Sequence, residues 1–334
     1  MPDQALVNSD LQSALAEAKQ AYADRNPKSF ARHQDACVAM PGGNTRTTLH
    51  NSPFPLTVVR GEGCRLWDAD GHEYIDVLGE YTAGIYGHSH PVIRAAIDRA
   101  LNHGWNFGGR NENEAKLAKL IADRMPSIDL VRFTNSGTEG NVMALAGARV
   151  FAQRKGRTKA TKVMVFHGGY HGGVLYFVSG GSPVNMPYEY VVAPYNDIEG
   201  TRALLAKHGE ELFAVLLEPM QGSHGCLPGD VDFLKAVREE TQARGITMIF
   251  DEVMTSRLSP GGLQARHGVI PDMTTLGKYI GGGMSFGAFG GKREIMELFD
   301  PTKPDALPHA GTFNNNALTM AAGVAGYGEV YTAE

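Results

Sequence analysis

Short apolar segments alternate with amphipathic ones over most of this chain, and this alternation limits its fold more than any other feature. The apolar segments predict strands at Leu130–Thr134, Lys162–Phe166, Tyr190–Ala193, Phe213–Glu218, Ile246–Asp251 and Met273–Leu276. The amphipathic segments predict helices at Pro91–His103, Asn113–Arg124, Thr138–Gln153, Ile198–His208 and Val231–Ala243. Such alternation is typical of a mostly parallel sheet with helices on both faces. We therefore expect an α/β fold of this kind.

The N-terminal part of the chain has a different pattern. Helical spacing of apolar residues covers Leu11–Arg25, and residues 56–77 contain the turn signals of antiparallel strands. We expect a small N-terminal α+β part joined to the larger domain. The predicted boundaries are 1–75 for the N-terminal part of the small domain, 76–325 for the large domain and 326–334 for the start of a C-terminal segment.

Composition excludes several classes of protein. The chain of 334 residues is 43% hydrophobic and 20% charged, which is typical of a globular protein. Its net charge of -5 and the lack of a Lys/Arg cluster argue against nucleic acid as a partner. Neither a signal peptide nor a membrane-length apolar run is present, and Cys37, Cys64 and Cys226 lie far apart. We expect a cytoplasmic protein that does not bind membranes.

Two polar residues lie where such a sheet would bind a ligand. Asp251 ends the apolar segment ITMIFD, and open α/β sheets bind ligands at the carboxyl ends of their strands. Lys278 has no charged neighbour between Asp272 and Lys292, and an apolar setting favours the free amine that attacks a carbonyl carbon. Taken singly, Asp251 could instead cap a helix, and Lys278 could be an exposed loop lysine.

Three loops offer groups for a phosphorylated aromatic ligand. Ser136, Gly137 and Thr138 open a predicted helix, where N–H groups and hydroxyls bind phosphate, although a plain helix cap is the alternative. Tyr170 lies between glycines in HGGYHGG, where its ring could stack on a cofactor or simply pack in the core or on the surface. Thr312 precedes the last helix as a further phosphate donor or a cap.

The histidines do not predict a metal site. His167 and His171 form one pair and His88 and His90 another, but no third ligand follows at a convincing spacing. We therefore expect no metal.

An amine, a strand-end acid, a phosphate loop and a stacking ring together suit pyridoxal 5′-phosphate (PLP). Lys278 would form a Schiff base with it, and Asp251 would keep the pyridine nitrogen protonated. Six segments resemble the successive signatures of class III aminotransferases of PLP fold type I: FTNSGTEGN, GGYHGG, LLEPMQG, IFDEVMTSR, TTLGKYIGGG and HAGTFNNN. Within this class the chain most resembles β-phenylalanine aminotransferases and, next, glutamate-1-semialdehyde 2,1-aminomutases.

The resemblance implies roles for individual residues. Lys278 and Asp251 would be catalytic, and the cofactor would be held by Ser136, Gly137, Thr138, Tyr170, Glu218, Asp251, Val253, Lys278 and Thr312. Thr312 would reach the phosphate from the partner subunit of a homodimer. Tyr170 and Val253 would cover opposite ring faces, with Glu218 and Gln221 nearby. Arg46 resembles the arginine that binds the substrate carboxylate in β-amino acid aminotransferases, and an exposed loop arginine is its alternative.

Family members continue past the position of residue 334. We therefore expect that the C-terminal portion of the small domain is missing, together with a second carboxylate-binding arginine. The helix predicted within residues 314–330 would then have an apolar face with little to pack on.

The resemblance implies a PLP-dependent aminotransferase that moves an amino group between an amino acid, such as the β-amino acid β-phenylalanine, and a 2-oxo acid. The first alternative is an aminomutase of the glutamate-1-semialdehyde type, in which one molecule gives and receives the amino group. The second is a truncated, inactive paralogue.

Overall fold

The computed structural model describes residues 10–333, which divide into two compact units. The first unit ends at Gly79 and also includes Gly87–Ser89. The second unit comprises Glu80–Tyr86 and the chain from His90 onward. The domain boundaries after residues 75 and 325 stay predictions. Within the described residues, no helix combines the length and the apolar character that crossing a membrane requires.

The first unit contains two helices and a three-stranded antiparallel sheet. Its elements are α1 (Leu11–Arg25), α2 (Pro27–Ala39), β1 (Val58–Glu62), β2 (Arg65–Asp68) and β3 (Glu73–Ile75). Asp10 begins α1 by accepting a hydrogen bond from the Ser13 N–H at 2.8 Å. The sequence did not predict α2, because Pro27 was interpreted as the end of a helix, whereas here it is the first residue of the next one.

The second unit contains the α/β part of the chain. Its helices are α3 (Pro91–Leu101), α4 (Glu112–Arg124), α5 (Gly137–Arg154), α6 (Ile198–His208), α7 (Val231–Arg244), α8 (Gly262–His267), α9 (Arg293–Met296) and α10 (Ala317–Ala325), followed by a π-helical turn (Gly326–Val330). Its strands are β4 (Leu130–Thr134), β5 (Lys162–Phe166), β6 (Glu189–Ala193), β7 (Leu212–Leu217), β8 (Met220–Gln221), β9 (Leu227–Pro228), β10 (Thr247–Asp251), β11 (Met273–Gly277) and β12 (Gly287–Gly291).

Seven of these strands form the central sheet, in the order β4-β12-β11-β10-β7-β5-β6. β12 runs antiparallel to both of its neighbours, and the other strands are mutually parallel. The carboxyl ends of β4, β5, β7, β10 and β11 therefore meet at one edge. This arrangement confirms the predicted mostly parallel sheet and brings the loops that follow these strands together.

Alternate residues of each strand pack on opposite faces of the sheet. Val163 and Val165 pack with Leu145 of α5 on one face, whereas Met164 packs with Phe233 of α7 on the other. All five are fully buried. Because both faces are covered, the strands are apolar throughout, which is why they could be recognised in the sequence.

The sequence did not predict β12, because its residues, GAFGG, include three glycines, which are unfavourable in strands. Close backbone contact explains the first of them. A methyl group on the Cα of Gly287 would lie 2.0 Å from the carbonyl oxygen of Ser136. Glycine therefore lets β12 pack against the loop that opens α5.

The apolar face of the C-terminal helix is buried, which corrects the expectation that it would have little to pack on. Ala322 of α10 packs with Ile93 of α3, and Met320 packs with Leu117 of α4. Both α10 residues are fully buried. Helices of the same unit therefore cover this face.

A buried ion pair is expected to stabilise the sheet. The Asp272 carboxylate at the start of β11 accepts hydrogen bonds from the Met248 N–H of β10 and the Arg238 guanidinium of α7, both at 2.9 Å. Asp272→Asn removes the charge that these donors face and should lower the free energy of unfolding by about 2–4 kcal/mol, measured by urea denaturation. Asp98→Asn, on the exposed side of α3, removes only a surface ion pair with Arg94. It should lower the free energy of unfolding by less than about 0.5 kcal/mol. Equal losses would contradict this prediction.

Candidate active site

Asp251 is the last residue of β10 and lies at the carboxyl edge of the sheet, where only 5% of it is exposed. Its Oδ2 accepts a hydrogen bond from Asn141 Nδ2 at 2.8 Å and lies 2.9 Å from His171 Nδ1. Its Oδ1 accepts a hydrogen bond from the Val253 N–H at 3.0 Å. These contacts fix the carboxylate plane, and the helix-cap alternative does not describe the residue.

Lys278 follows β11, the strand adjacent to Asp251, and adopts a left-handed conformation with φ of 54°. A lysine in this region is strained, which is common at functional sites. Its Nζ donates a hydrogen bond to the carbonyl oxygen of Tyr81 at 2.7 Å. Burial lowers the pKa of this amine, although the carboxylates of Asp251 and Glu218 act in the opposite direction. Lys278 is therefore partly buried rather than fully exposed, and its burial favours the free amine.

Ser136, Gly137 and Thr138 form the start of α5 between β4 and the sheet edge. The Ser136 hydroxyl accepts the Glu139 N–H at 3.2 Å, so the predicted cap is present. Its own proton is still available for a ligand. The first N–H groups of a helix have no acceptor within the helix, so this turn also directs donors toward the edge. The cap and an anion site are thus compatible.

Glycines let three loops approach each other beside this helix start. A methyl group on Gly137 would lie 2.7 Å from Val253 Cγ2, and one on Gly277, the residue before Lys278, would lie 3.1 Å from Val253 Cγ1. A methyl group on Gly172 would lie 2.1 Å from the Thr138 hydroxyl oxygen. The loops after β4, β5, β10 and β11 are therefore in close contact.

Tyr170 lies in the loop after β5 and is 41% exposed, so the structure does not place it in the core. Its backbone N–H donates to Glu218 Oε1 at 2.9 Å, while the Gly222 N–H donates to Oε2 at the same distance. Burial raises the pKa of Glu218 to about 7, and the nearby Asp251 carboxylate adds to the rise. Gln221 is buried and donates to the His167 carbonyl oxygen at 2.8 Å. Glu218 and Gln221 thus fix the backbone at Tyr170 and at His167, three residues before it.

The two remaining predicted site residues, Thr312 and Arg46, are both exposed. Thr312 is exposed in the loop before α10, although the neighbouring Asn314 accepts a hydrogen bond from Asn135, just before Ser136, at 2.9 Å. Arg46 is exposed and belongs to the first unit. No group of three or more His, Cys, Asp or Glu side chains within residues 10–333 is arranged to hold a metal ion.

Sequence reasoning missed three residues that contact the Asp251 carboxylate or its partners. Asn141, Thr275 and His171 are all nearly or fully buried. One signal was available, because Asn141 is a polar residue on the face of α5 that otherwise presents Ala144, Leu145 and Ala148 to the core. His171 was considered only as a metal ligand, and Thr275 was interpreted only as an ordinary strand residue.

Comparisons with known proteins agree with this geometry. The family model described as "Aminotransferase class-III" matches residues 47–331. Beta-phenylalanine transaminase from Variovorax paradoxus is 52% identical over 329 residues, which cover 98% of this chain and 74% of that protein. A glutamate-1-semialdehyde 2,1-aminomutase from Brevibacillus brevis is 41% identical over 285 residues, covering 81% of this chain and 65% of that protein.

Solved structures give the same result for the fold. The β-phenylalanine aminotransferase structure from Variovorax paradoxus has a TM-score of 0.93 and covers 97% of this chain and 74% of that one. A structure described as a transaminase with PLP bound has a TM-score of 0.85 at 35% identity and covers 91% of this chain and 74% of its own. Because the family model and these relatives match most of the chain, the protein belongs to the class III aminotransferase family.

Proposed function

We propose that this class III aminotransferase binds PLP between Asp251 and Lys278 and transfers the amino group of a β-amino acid to a 2-oxo acid. The observation that carries the proposal is the pair itself. A buried carboxylate and an amine of lowered pKa lie at the ends of adjacent strands, beside a helix N-terminus. The family assignment and the similar transaminase solved with PLP bound support PLP as the cofactor.

The residues of the site fit this cofactor. A carboxylate has about four acceptor positions. Within the described residues, Asn141, His171 and Val253 occupy three of those on Asp251, which leaves one on Oδ1 for a ring N–H. The first turn of α5 and its hydroxyls provide donors for a phosphate. The absence of side chains at Gly137 and Gly172 lets Val253 and the Thr138 hydroxyl lie close against these two loops.

Asp251 and Lys278 would take part directly in the proposed reaction. When bound, PLP supplies an electron-accepting ring that stabilises negative charge on the substrate carbon. Asp251 would hold the proton on the ring nitrogen. Lys278 would join the cofactor covalently through Nζ and, once displaced by the substrate amine, would move a proton from the amine-bearing carbon.

Other residues would bind and orient the reactants. Tyr170 and Val253 would cover the two ring faces, while Ser136, Gly137 and Thr138 would hold the phosphate. Glu218 would fix the Tyr170 loop through its bond to the Tyr170 N–H. A homodimer in which Thr312 of one subunit serves the site of the other stays a prediction, as does a cytoplasmic location.

The proposed substrate rests on the 52% identical β-phenylalanine transaminase and on Arg46 as a carboxylate-binding residue. Aminomutase-type transfer is the second candidate, supported by the glutamate-1-semialdehyde aminomutase that is 41% identical. Conversion of the semialdehyde without added oxo acid would select the aminomutase. Failure of purified protein to bind added PLP would select the inactive paralogue.

Lys278→Ala tests the covalent attachment. Borohydride reduction of the wild type with PLP should add the cofactor mass to the peptide that contains Lys278, and the variant should lose this adduct. Because burial lowers the amine's pKa, attachment should accelerate with rising pH and reach half its maximum below the pH expected for an exposed lysine. Lys235→Ala, on the exposed side of α7, is the control that should keep the adduct. An adduct on another lysine would contradict the assignment.

Arg46→Ala tests the proposed carboxylate contact. Loss of a bidentate, charge-assisted contact should raise KM for β-amino acids by roughly 10–100-fold, equivalent to about 1.4–2.8 kcal/mol. Simple amines that lack the carboxylate should be little affected. Steady-state kinetics on both substrate classes would measure this difference, with Arg60→Ala as a control in the same unit. Equal changes for both classes would disprove the role.

Gly172→Ala tests the phosphate loop. Its φ of 115° disfavours any side chain, and the added methyl group would displace the Thr138 hydroxyl. We expect at least about ten-fold weaker PLP binding, or roughly 1.4 kcal/mol, in an absorbance titration. Gly173→Ala adds the same methyl group where nothing lies within 4 Å and should leave binding unchanged. Unaltered affinity in Gly172→Ala would remove Thr138 from the phosphate site.

A further inference from the structure

A chain of buried hydrogen bonds leads from β11 through α5 to the Asp251 carboxylate. The Thr275 hydroxyl donates to Asn141 Oδ1 at 2.7 Å, and Asn141 Nδ2 donates to Asp251 Oδ2 at 2.8 Å. Neither Thr275 nor Asn141 is more than 1% exposed. Thr275 also pairs directly with Asp251 in the register of the two parallel strands. The sheet therefore places Thr275 beside Asp251, and α5 brings Asn141 to both of them.

Thr275 helps to fix which way the Asn141 amide faces. Its hydroxyl has a single proton, and that proton is donated to the amide oxygen. The amide nitrogen is thereby directed to Asp251 Oδ2 and to the His171 carbonyl oxygen, 3.1 Å away. A flipped amide would place its oxygen against both of these oxygens. Without the Thr275 proton, the amide oxygen loses the one donor that it has among the described residues.

We propose that Asn141 and Thr275 are positioning residues that orient the Asp251 carboxylate and thereby keep the proton on the cofactor's ring nitrogen. This inference rests on the proposed function, because it requires that Asp251 faces that nitrogen. A hydrogen bond to a carboxylate stabilises its charged form and lowers its basicity. The Asn141 amide therefore limits how far Asp251 draws the ring proton toward itself.

The other titratable groups around Asp251 are His171, Glu218 and Lys278, and Arg257 acts on Lys278 in turn. Thr275 and Asn141 carry no charge themselves. Replacing Thr275 therefore removes the hydrogen bond that orients Asn141, the donor to Asp251, without removing any of these charges.

Thr275→Val tests the inference, with Thr274→Val as a matched control. Thr274 is equally buried on the same strand, but its hydroxyl bonds to Ser127 and Gln264 rather than to Asn141. Without the fixed amide, we expect Asp251 to draw the ring proton more strongly toward itself. The ring then withdraws fewer electrons, and the nitrogen that joins Lys278 to the cofactor therefore becomes more basic. The pH midpoint of the holoenzyme's visible absorbance change should rise by about half a unit or more relative to the wild type and Thr274→Val.

Kinetic and rescue measurements separate positioning from general stability. In Thr275→Val, kcat should fall roughly ten-fold with little change in KM, because the lost effect concerns charge that develops during the reaction. Thr275→Ser keeps the hydroxyl and should restore both the midpoint and kcat. Asn141→Ala breaks the same chain at its centre and should raise the midpoint as well.

Each result decides the question. A wild-type midpoint in Thr275→Val or Asn141→Ala, while Asp251→Asn alters the absorbance and turnover, overturns this inference alone. A wild type without a cofactor adduct on Lys278, or an Asp251→Asn variant identical to the wild type, overturns the proposed function and this inference with it. If neither Thr275→Val nor Asn141→Ala folds with cofactor while Thr274→Val does, the two residues are structural and the inference fails.

Discussion

The burial of the Asp251 carboxylate at the end of β10 is the constraint on which the rest of the site depends. A buried charge is costly unless several donors surround it. Here the donors come from separate parts of the chain: Asn141 from α5, His171 from the loop after β5, and the Val253 N–H from the turn beyond β10. Burying this carboxylate with its partners therefore requires that these segments meet at one edge of the sheet. The parallel topology brings them there, and the glycines at the helix start let them approach.

The role proposed for Lys278 has the opposite requirement, because it needs an amine that can lose its proton. Burial lowers its pKa, while Asp251 and Glu218 raise it, and burial is the larger effect. Glu218 raises the pKa of Lys278 less than an ionised carboxylate would, because its own pKa of about 7 leaves it largely protonated below neutral pH. Glu218, whose carboxylate accepts the backbone N–H groups of Tyr170 and Gly222, is thus shifted toward its neutral form, whereas the Asp251 carboxylate also accepts a side-chain hydrogen bond from Asn141. A buried carboxyl group with a perturbed pKa is typical of active sites.

The sequence predicted the sheet well, because strands buried on both faces are apolar along their whole length. Four elements have the predicted bounds, namely Leu11–Arg25, Leu130–Thr134, Lys162–Phe166 and Ile198–His208, and most of the others differ by a residue or two at their ends. The glycine-rich β12 gave no such signal, since its residues are selected by close backbone contact rather than by strand propensity. Likewise, the motifs identified Asp251, but which buried polar residues face it depends on strand register and helix rotation. Asn141 and Thr275 could be placed beside it only in three dimensions.

The residues proposed for cofactor chemistry and for substrate choice face different physical constraints. Asp251, Asn141 and Thr275 are buried and bonded to one another, so replacing any of them disturbs several elements at once. Arg46 is exposed in a loop region, where substitutions usually cost little stability. A fold of this kind can therefore keep its cofactor chemistry while exposed loop residues change the substrate. That division explains how relatives named as transaminases and as aminomutases can share one fold with this chain.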